Sequence, residues 1–161
     1  IGTVSEQVYE GGCSCRQVRY RMLRPPMYVH CCHCTWCRRE SGAAFALNGM
    51  VEGSSVSLGP GEVEIIDTPT KSGRGQKVSR CPTCRVALWG NFSTAGAAIH
   101  FVRMGTLDHG ELFPPDVHIF TSTKLPWVVL GDDIPAYAEF YTKPEMWSQQ
   151  SMERYDTALK A

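Results

Sequence analysis

The chain has 161 residues, 43% of them hydrophobic, and its 16 Lys and Arg balance 16 Asp and Glu to a formal net charge of zero. That length predicts a single domain over 1–161 with enough chain to bury a sizeable core. The neutral balance argues against nucleic acid or an anionic membrane as partner, and no apolar run approaches the ~20 residues of a membrane span.

Fifteen Gly and ten Pro predict frequent turns and little long helix. The first dozen residues read as a loose lead-in ending at Gly11-Gly12. Val18–Met22 alternates apolar and polar residues, the pattern of a half-buried strand, and Arg24-Pro25-Pro26 breaks it. Met27–His30 and Phe45–Val51 read as further strands, and Val56–Leu58 and Val63–Ile66 as short ones around the Gly59-Pro60-Gly61 turn. After a basic, glycine-rich loop over Lys71–Gln76, Lys77–Arg80 leads into Cys81 and Val86–Trp89 leads out, a hairpin with a metal knuckle at its tip. Ile99–Met104 and Val117–Phe120 complete the strands. The tail from Lys143 to Ala161 predicts a helix, with Pro144 at its start followed by Glu145.

Seven of the eight cysteines fall into three clusters: Cys13-x-Cys15, Cys32-x-Cys34-x-x-Cys37 and Cys81-x-x-Cys84. Thiolates one or two residues apart grip one ion from one turn, and two such pairs complete a tetrahedral shell of four sulfurs. Cys13 and Cys15 are therefore paired with Cys81 and Cys84 around a structural zinc that pins two distant hairpins together. Cys32, Cys34 and Cys37 have no partner pair, so they are read as ligands of a second, catalytic zinc with one position left for water or substrate. A three-sulfur zinc is soft and suits an incoming thiol, which a metal ionises at neutral pH; such a thiolate adds to an aldehyde carbon. Cys31 reads as a packed or spare thiol, and His30 and His33 as alternative fourth ligands. The bland reading of the triplet is a second structural zinc.

Four disulfides are the competing account of eight cysteines. Cys13 and Cys15 are too close to bond to each other, as are Cys32 and Cys34, and no basic-then-apolar leader marks secretion. Reduced thiols in the cytoplasm are expected. A redox role for Cys81-x-x-Cys84 lacks the strand-then-helix context of a thioredoxin-like motif. Arg38 and Arg39, directly after the triplet, are candidates to hold the carboxylates of a ligand, and Lys124 is a further one. Trp36 either shields the metal or packs; Trp89 and Trp127 are read as core, and His118 as structural. Lys71, Arg74, Lys77 and Arg80 form the one basic patch, which keeps alive a zinc-stabilised binding module without chemistry.

Gly12-Cys13-x-Cys15-x-x-Val18-x-Tyr20, Cys32-His33-Cys34-x-x-Cys37-Arg38-Arg39-x-x-Gly42 and Cys81-x-x-Cys84-x-x-x-Leu88-Trp89 together resemble the glutathione-dependent formaldehyde-activating enzyme family. Gly105-x-Leu107-Asp108, His118-Ile119-Phe120 and Lys124-x-Pro126-Trp127 also match, so the resemblance runs from about Gly11 to Pro135. It implies a mainly β, β-tent-type zinc fold of short antiparallel strands and hairpins. It implies two zinc ions per chain in the same ligand grouping, and a carbon–sulfur lyase that joins a thiol such as glutathione to formaldehyde as S-hydroxymethylglutathione. Relatives similar to centromere protein V act as binding proteins. The family has Gly after each structural pair where this chain has Arg16 and Arg85. Such turns favour positive φ, so these arginines are expected to strain the turn or to reach acidic groups.

Overall fold

In the computed structural model, which describes residues 7–161, the chain is mainly β. The strands are β1 (Tyr9–Gly12), β2 (Arg19–Met22), β3 (Tyr28–Cys32), β4 (Ala46–Glu52), β5 (Val56–Leu58), β6 (Glu64–Thr68), β7 (Gln76–Arg80), β8 (Ala87–Phe92), β9 (Ile99–Arg103) and β10 (Val117–Ile119). Three helices join them: α1 (Thr35–Ser41), α2 (Lys143–Met146) and α3 (Gln149–Lys160). The strands form a small sheet, β1-β2-β5, and a seven-stranded sheet, β10-β3-β4-β9-β8-β7-β6. Its neighbours are antiparallel except β10, which runs parallel to β3.

The large sheet is buried on both faces near its centre, so successive side chains serve two cores. Val51 and Val102 pack with Tyr20, Met22 and Leu88 beneath the small sheet. Met50 and Ile99, on the opposite face, pack with Tyr28, Val117, Tyr141 and Trp147 beneath the C-terminal segment. This double burial explains why β3 is buried at all five positions.

Three features differ from the sequence expectations. Part of the lead-in is the strand β1, whose glycines hide it from a propensity reading. A Cβ on Gly11 would lie 2.6 Å from both Thr106 O and Tyr20 Oη, so close packing demands glycine there. Residues 1–6 of that lead-in lie outside the described residues. The Gly59-Pro60-Gly61 turn does not close a hairpin: β5 pairs with β2 and β6 with β7, so the turn passes the chain from one sheet to the other. The tail is helical but broken at Trp147, whose extended ψ of 143° ends α2, and Ser148 then caps α3 by accepting from Ser151 N at 3.1 Å. Among the described residues no helix is long and apolar enough to cross a membrane.

The tail docks by polar contacts as well as by packing. Ser151 Oγ donates to Met27 O at 2.8 Å, and Arg154 Nη2 donates to Pro25 O at 2.8 Å. Arg154 Nε meets Glu52 Oε1 at 2.7 Å, with side-chain exposures of only 11% and 9%. Removing one partner of a buried pair leaves the other charge stranded. Arg154→Ala is therefore expected to lower unfolding free energy by about 2–4 kcal/mol. Arg24 also reaches Glu52, at 3.3 Å, but its side chain is 47% exposed, and Arg24→Ala is expected to cost no more than about 1 kcal/mol. Urea denaturation of the two variants separates these values.

Candidate metal centres and the cavity beside the second

The first sulfur group is built from two similar loops. Cys13 N donates to Val18 O at 3.1 Å, and Cys81 N donates to Val86 O at 3.0 Å, so each loop closes over five residues. Inside them, Arg16 N donates to Cys13 O and Arg85 N to Cys81 O, at 3.3 and 3.0 Å. Both arginines take positive φ, 66° and 67°. They thus carry the strain expected where glycine is the easier residue, and the Arg85 guanidinium pairs with Glu64. The loops bring the Sγ atoms of Cys13, Cys15, Cys81 and Cys84 within 4.8 Å of one another. The Cys13–Cys15 and Cys15–Cys81 separations are 3.5 and 3.6 Å. Tetrahedral zinc with 2.3 Å bonds sets its sulfurs about 3.8 Å apart, so these four sulfurs fit such an ion with shifts of tenths of an ångström.

The second group sits at the end of β3. Cys32 is the last strand residue, Cys34 is the N-cap of α1, and Cys37 lies in its first turn, with Cys37 N donating to Cys34 Sγ at 3.3 Å. The sequence reading missed this helix. Its signals are present: a capping side chain at Cys34, and at the other end Gly42 with φ 68°, donating to Arg38 O at 2.8 Å. No residue of α1 is fully buried. The helix is tied to the sheet by the well-buried Glu40 side chain, which pairs with Arg80 Nη2 at 2.9 Å and Arg103 Nη2 at 2.8 Å.

The Sγ atoms of Cys32, Cys34 and Cys37 also lie within 4.8 Å of one another. Three sulfurs this close do not ionise independently. Hydrogen bonds from Cys32, then from Cys37, draw Cys34 down to about 2, while the same crowding pushes Cys37 up. A divalent cation at their centre would relieve that repulsion, so this donor set also fits a metal.

The two groups differ in what they face. Cys32, Cys34 and Cys37 all line a cavity of about 640 Å³, and no cysteine of the first group does. Its walls come from β3, the start of α1, β4, the β6–β7 loop, the end of β8, β9, β10 and the C-terminal segment. Across it, the β6–β7 loop meets the other sheet edge: Lys71 Nζ lies 4.2 Å from the Phe120 ring centroid and 3.4 Å from Glu139 Oε2.

A third group had no counterpart in the sequence reading. Cys31, His33 and His118 come together because β10 pairs with β3, setting His118 opposite Cys31. His33 Nε2 lies 3.0 Å from His118 Nδ1 and 3.6 Å from Cys31 Sγ. Burial holds His33 near 4 and raises Cys31 to about 12, so the cluster is neutral. His30 is engaged elsewhere. Trp147 Nε1 donates to Tyr141 Oη at 2.7 Å, which leaves the Tyr141 proton for His30 Nε2. Neither histidine joins the triplet.

Arg38 and Arg39 lie on α1 and are not among the described residues lining the cavity; Arg38 Nη2 donates to Thr35 Oγ1 at 3.5 Å. Trp36 lines the cavity and is 46% exposed. Trp89 is core, whereas Trp127, expected there too, is 71% exposed. It belongs to the irregular segment after β10, which Lys124 folds back on itself by donating to Val128 O at 2.6 Å. The basic patch is largely neutralised, since Lys71 pairs with Glu139, Lys77 with Asp67 and Arg80 with Glu40.

The model of a family described as "Glutathione-dependent formaldehyde-activating enzyme" matches residues 8–123. The chain is also similar to a crystal structure of a Rhodobacter sphaeroides protein, at 16% identity over 66% of this chain and 96% of that one, with a TM-score of 0.47. No curated protein matches.

Two measurements check the first sulfur group. Arg16→Gly, which removes a strained φ at an open loop, is expected to raise unfolding free energy by about 1 kcal/mol in urea titration. Cys81 is fully buried, and Cys81→Ser is expected to lose bound metal and to lower the melting temperature sharply; unchanged melting would show that this group does not hold the fold.

Proposed function

The chain belongs to the glutathione-dependent formaldehyde-activating enzyme family, and on that basis we propose that it makes and breaks a carbon–sulfur bond between a thiol and an aldehyde. The observation that carries the reading is the placement of the Cys32, Cys34 and Cys37 sulfurs on the cavity wall, away from the other four cysteines. In this reading the chain is one domain acting in the cytoplasm with two zinc ions, one held by Cys13, Cys15, Cys81 and Cys84 and one by Cys32, Cys34 and Cys37. Zinc at the triplet would supply a positive centre that keeps a thiol ionised at neutral pH.

The residues divide the remaining tasks. The triplet fixes where the reacting sulfur sits, and the cavity holds the aldehyde beside it. In the forward direction a bond forms from thiol sulfur to carbonyl carbon, the carbonyl π pair moves to oxygen, and that oxygen takes up the proton the thiol released. The reverse step restores the carbonyl and expels the thiol, so no oxidant or reductant is needed. Water in the cavity carries the proton, because His33 faces the Cys31–His118 side. Arg38 and Arg39, on α1 outside the cavity, are proposed to meet the carboxylates of a glutathione-like thiol.

The non-catalytic binding reading draws little support from the basic patch, since three of its four cations, Lys71, Lys77 and Arg80, are paired with Glu139, Asp67 and Glu40. The test uses exchange spectroscopy of glutathione with a series of aldehydes. Wild-type protein is expected to accelerate adduct exchange. Cys34→Ser is expected to return it to the uncatalysed rate and to lose one metal equivalent, while melting changes little. Full activity in Cys34→Ser would overturn the mechanism.

A further inference from the structure

The cavity is far larger than formaldehyde requires, and its wall has a character of its own. Its volume of about 640 Å³ falls within the roughly 300–1,000 Å³ range of sites for drug-sized ligands. Much of its surface is apolar, from Met50, Phe92, Phe101, Ile119, Phe140 and Trp147. Many polar groups on the wall are already occupied. His30, Tyr141 and Trp147 satisfy one another, Asn48 Oδ1 accepts from Arg103 at 2.9 Å, and Thr70 and Ser72 bond within their own loop. Gln76, Ser93 and Thr94 are the uncharged aliphatic polar side chains left on the wall, too few for a peptide-like ligand, each of whose unpaired amide groups would cost about 1–3 kcal/mol. An apolar body meets no such penalty.

One cation on this wall lacks a carboxylate among the described ion pairs. Lys143 Nζ lies 3.5 Å from the Tyr155 ring centroid and 5.2 Å from that of Trp147. The rings attract the charge but accept no strong hydrogen bonds from it, leaving ammonium protons for an anion. Lys71, by contrast, is paired with Glu139. Phe140, Tyr141, Lys143, Trp147 and Tyr155 all follow residue 123, where the family match ends. The matched span thus supplies the sulfur end of the cavity with Phe92, Phe101 and Phe120, and the segment after it adds the rest of the aromatic wall and the cation Lys143.

We infer that the aldehyde half of this chain's substrate is a bulky apolar group, aryl or long alkyl, ending in a carboxylate or similar anion that Lys143 receives. This rests on the proposed carbon–sulfur chemistry at the triplet, with the polar thiol partner lying outside over α1 and the aldehyde body filling the cavity.

Binding of unreactive probes tests the substrate class separately from the chemistry. Titration calorimetry of the full chain is expected to show 3-phenylpropanoate binding at least tenfold more tightly than acetate. Lys143→Gln is expected to weaken 3-phenylpropanoate about tenfold and to leave 3-phenylpropanol unchanged. Phe140→Ala, at a half-exposed wall position, is expected to weaken both phenyl probes. Acetate binding as tightly as 3-phenylpropanoate would overturn the inference, as would a Lys143→Gln chain that binds the anion like wild type. Cys34→Ser is expected to keep 3-phenylpropanoate binding. Probe binding without adduct exchange in wild type would sustain the ligand class and sink the carbon–sulfur chemistry. Fast formaldehyde exchange without probe binding would do the opposite.

Discussion

Sulfur atoms that are distant in sequence meet at one point, where the loop of the small sheet reaches the loop of the large one. Cys15 and Cys81 are 66 residues apart in the chain, yet their sulfurs are 3.6 Å apart. Closing a flexible loop of that length costs about 4 kcal/mol before any chemical gain. Structural zinc in small domains returns roughly 10–16 kcal/mol, so an ion at the quartet offsets the closure with a wide margin. Between the two loops Thr83 Oγ1 donates to Gln17 Oε1 at 2.6 Å, an exposed neutral bond worth about 1 kcal/mol, and Val18 packs with Leu88 and Trp89 in the core beneath them. The short strands of the small sheet would be a weak unit in isolation; here the core under Tyr20 and Met22 holds them, and a metal at the quartet would hold their other end.

Much of the β framework was legible because alternation and turn residues act locally. Val56–Leu58 is a strand as read, and the Cys81 knuckle sits at the tip of a β7–β8 hairpin. What escaped the sequence depended on long-range contacts or on residues with two roles. Gly11 belongs to a strand because Tyr20 and Thr106 crowd its Cα, which no local propensity reveals. Cys34 is a helix cap as well as a member of a sulfur cluster, and its metal-ligand spacing masks its capping role. The tail shows no single apolar stripe because Trp147 belongs to the break between two helices, while Met152, Tyr155 and Ala158 of α3 pack at the same core. Clustering of the seven cysteines was readable from spacing. The cavity was not, since its walls come from segments between residue 30 and residue 155.

The two sulfur groups end in different surroundings for reasons of topology. The quartet forms at loop tips where Cys15 is exposed, and none of its cysteines lines the cavity of about 640 Å³. The triplet follows β3, which lies between β10 and β4. The chain must turn there from a buried strand into α1, and the turn places its sulfurs at the floor of the space enclosed by the sheet edge and the tail. Glu40 then holds α1 to β7 and β9 through two arginines. The charge of that carboxylate is matched on the sheet side, so the helix is anchored without apolar burial of its own.

The cluster on the other side of the β3 terminus explains why the triplet stays three. Cys31 and His33 alternate with Cys32 and Cys34, so one set meets His118 while the other faces the cavity. His33 N donates to Ile119 O at 3.0 Å, and Thr123 Oγ1 donates to His33 O at 3.0 Å. The backbone at this residue is thereby fixed from both sides. Turning the His33 ring toward the cavity would strip its 3.0 Å partner from His118, a buried loss of about 1–3 kcal/mol. His30 is restrained in the same manner by Tyr141, itself bonded to Trp147. Both histidines within reach in sequence are thus committed to neutral hydrogen bonds. The sulfurs keep an open face toward the cavity because the two histidines nearest in sequence are held in other hydrogen bonds.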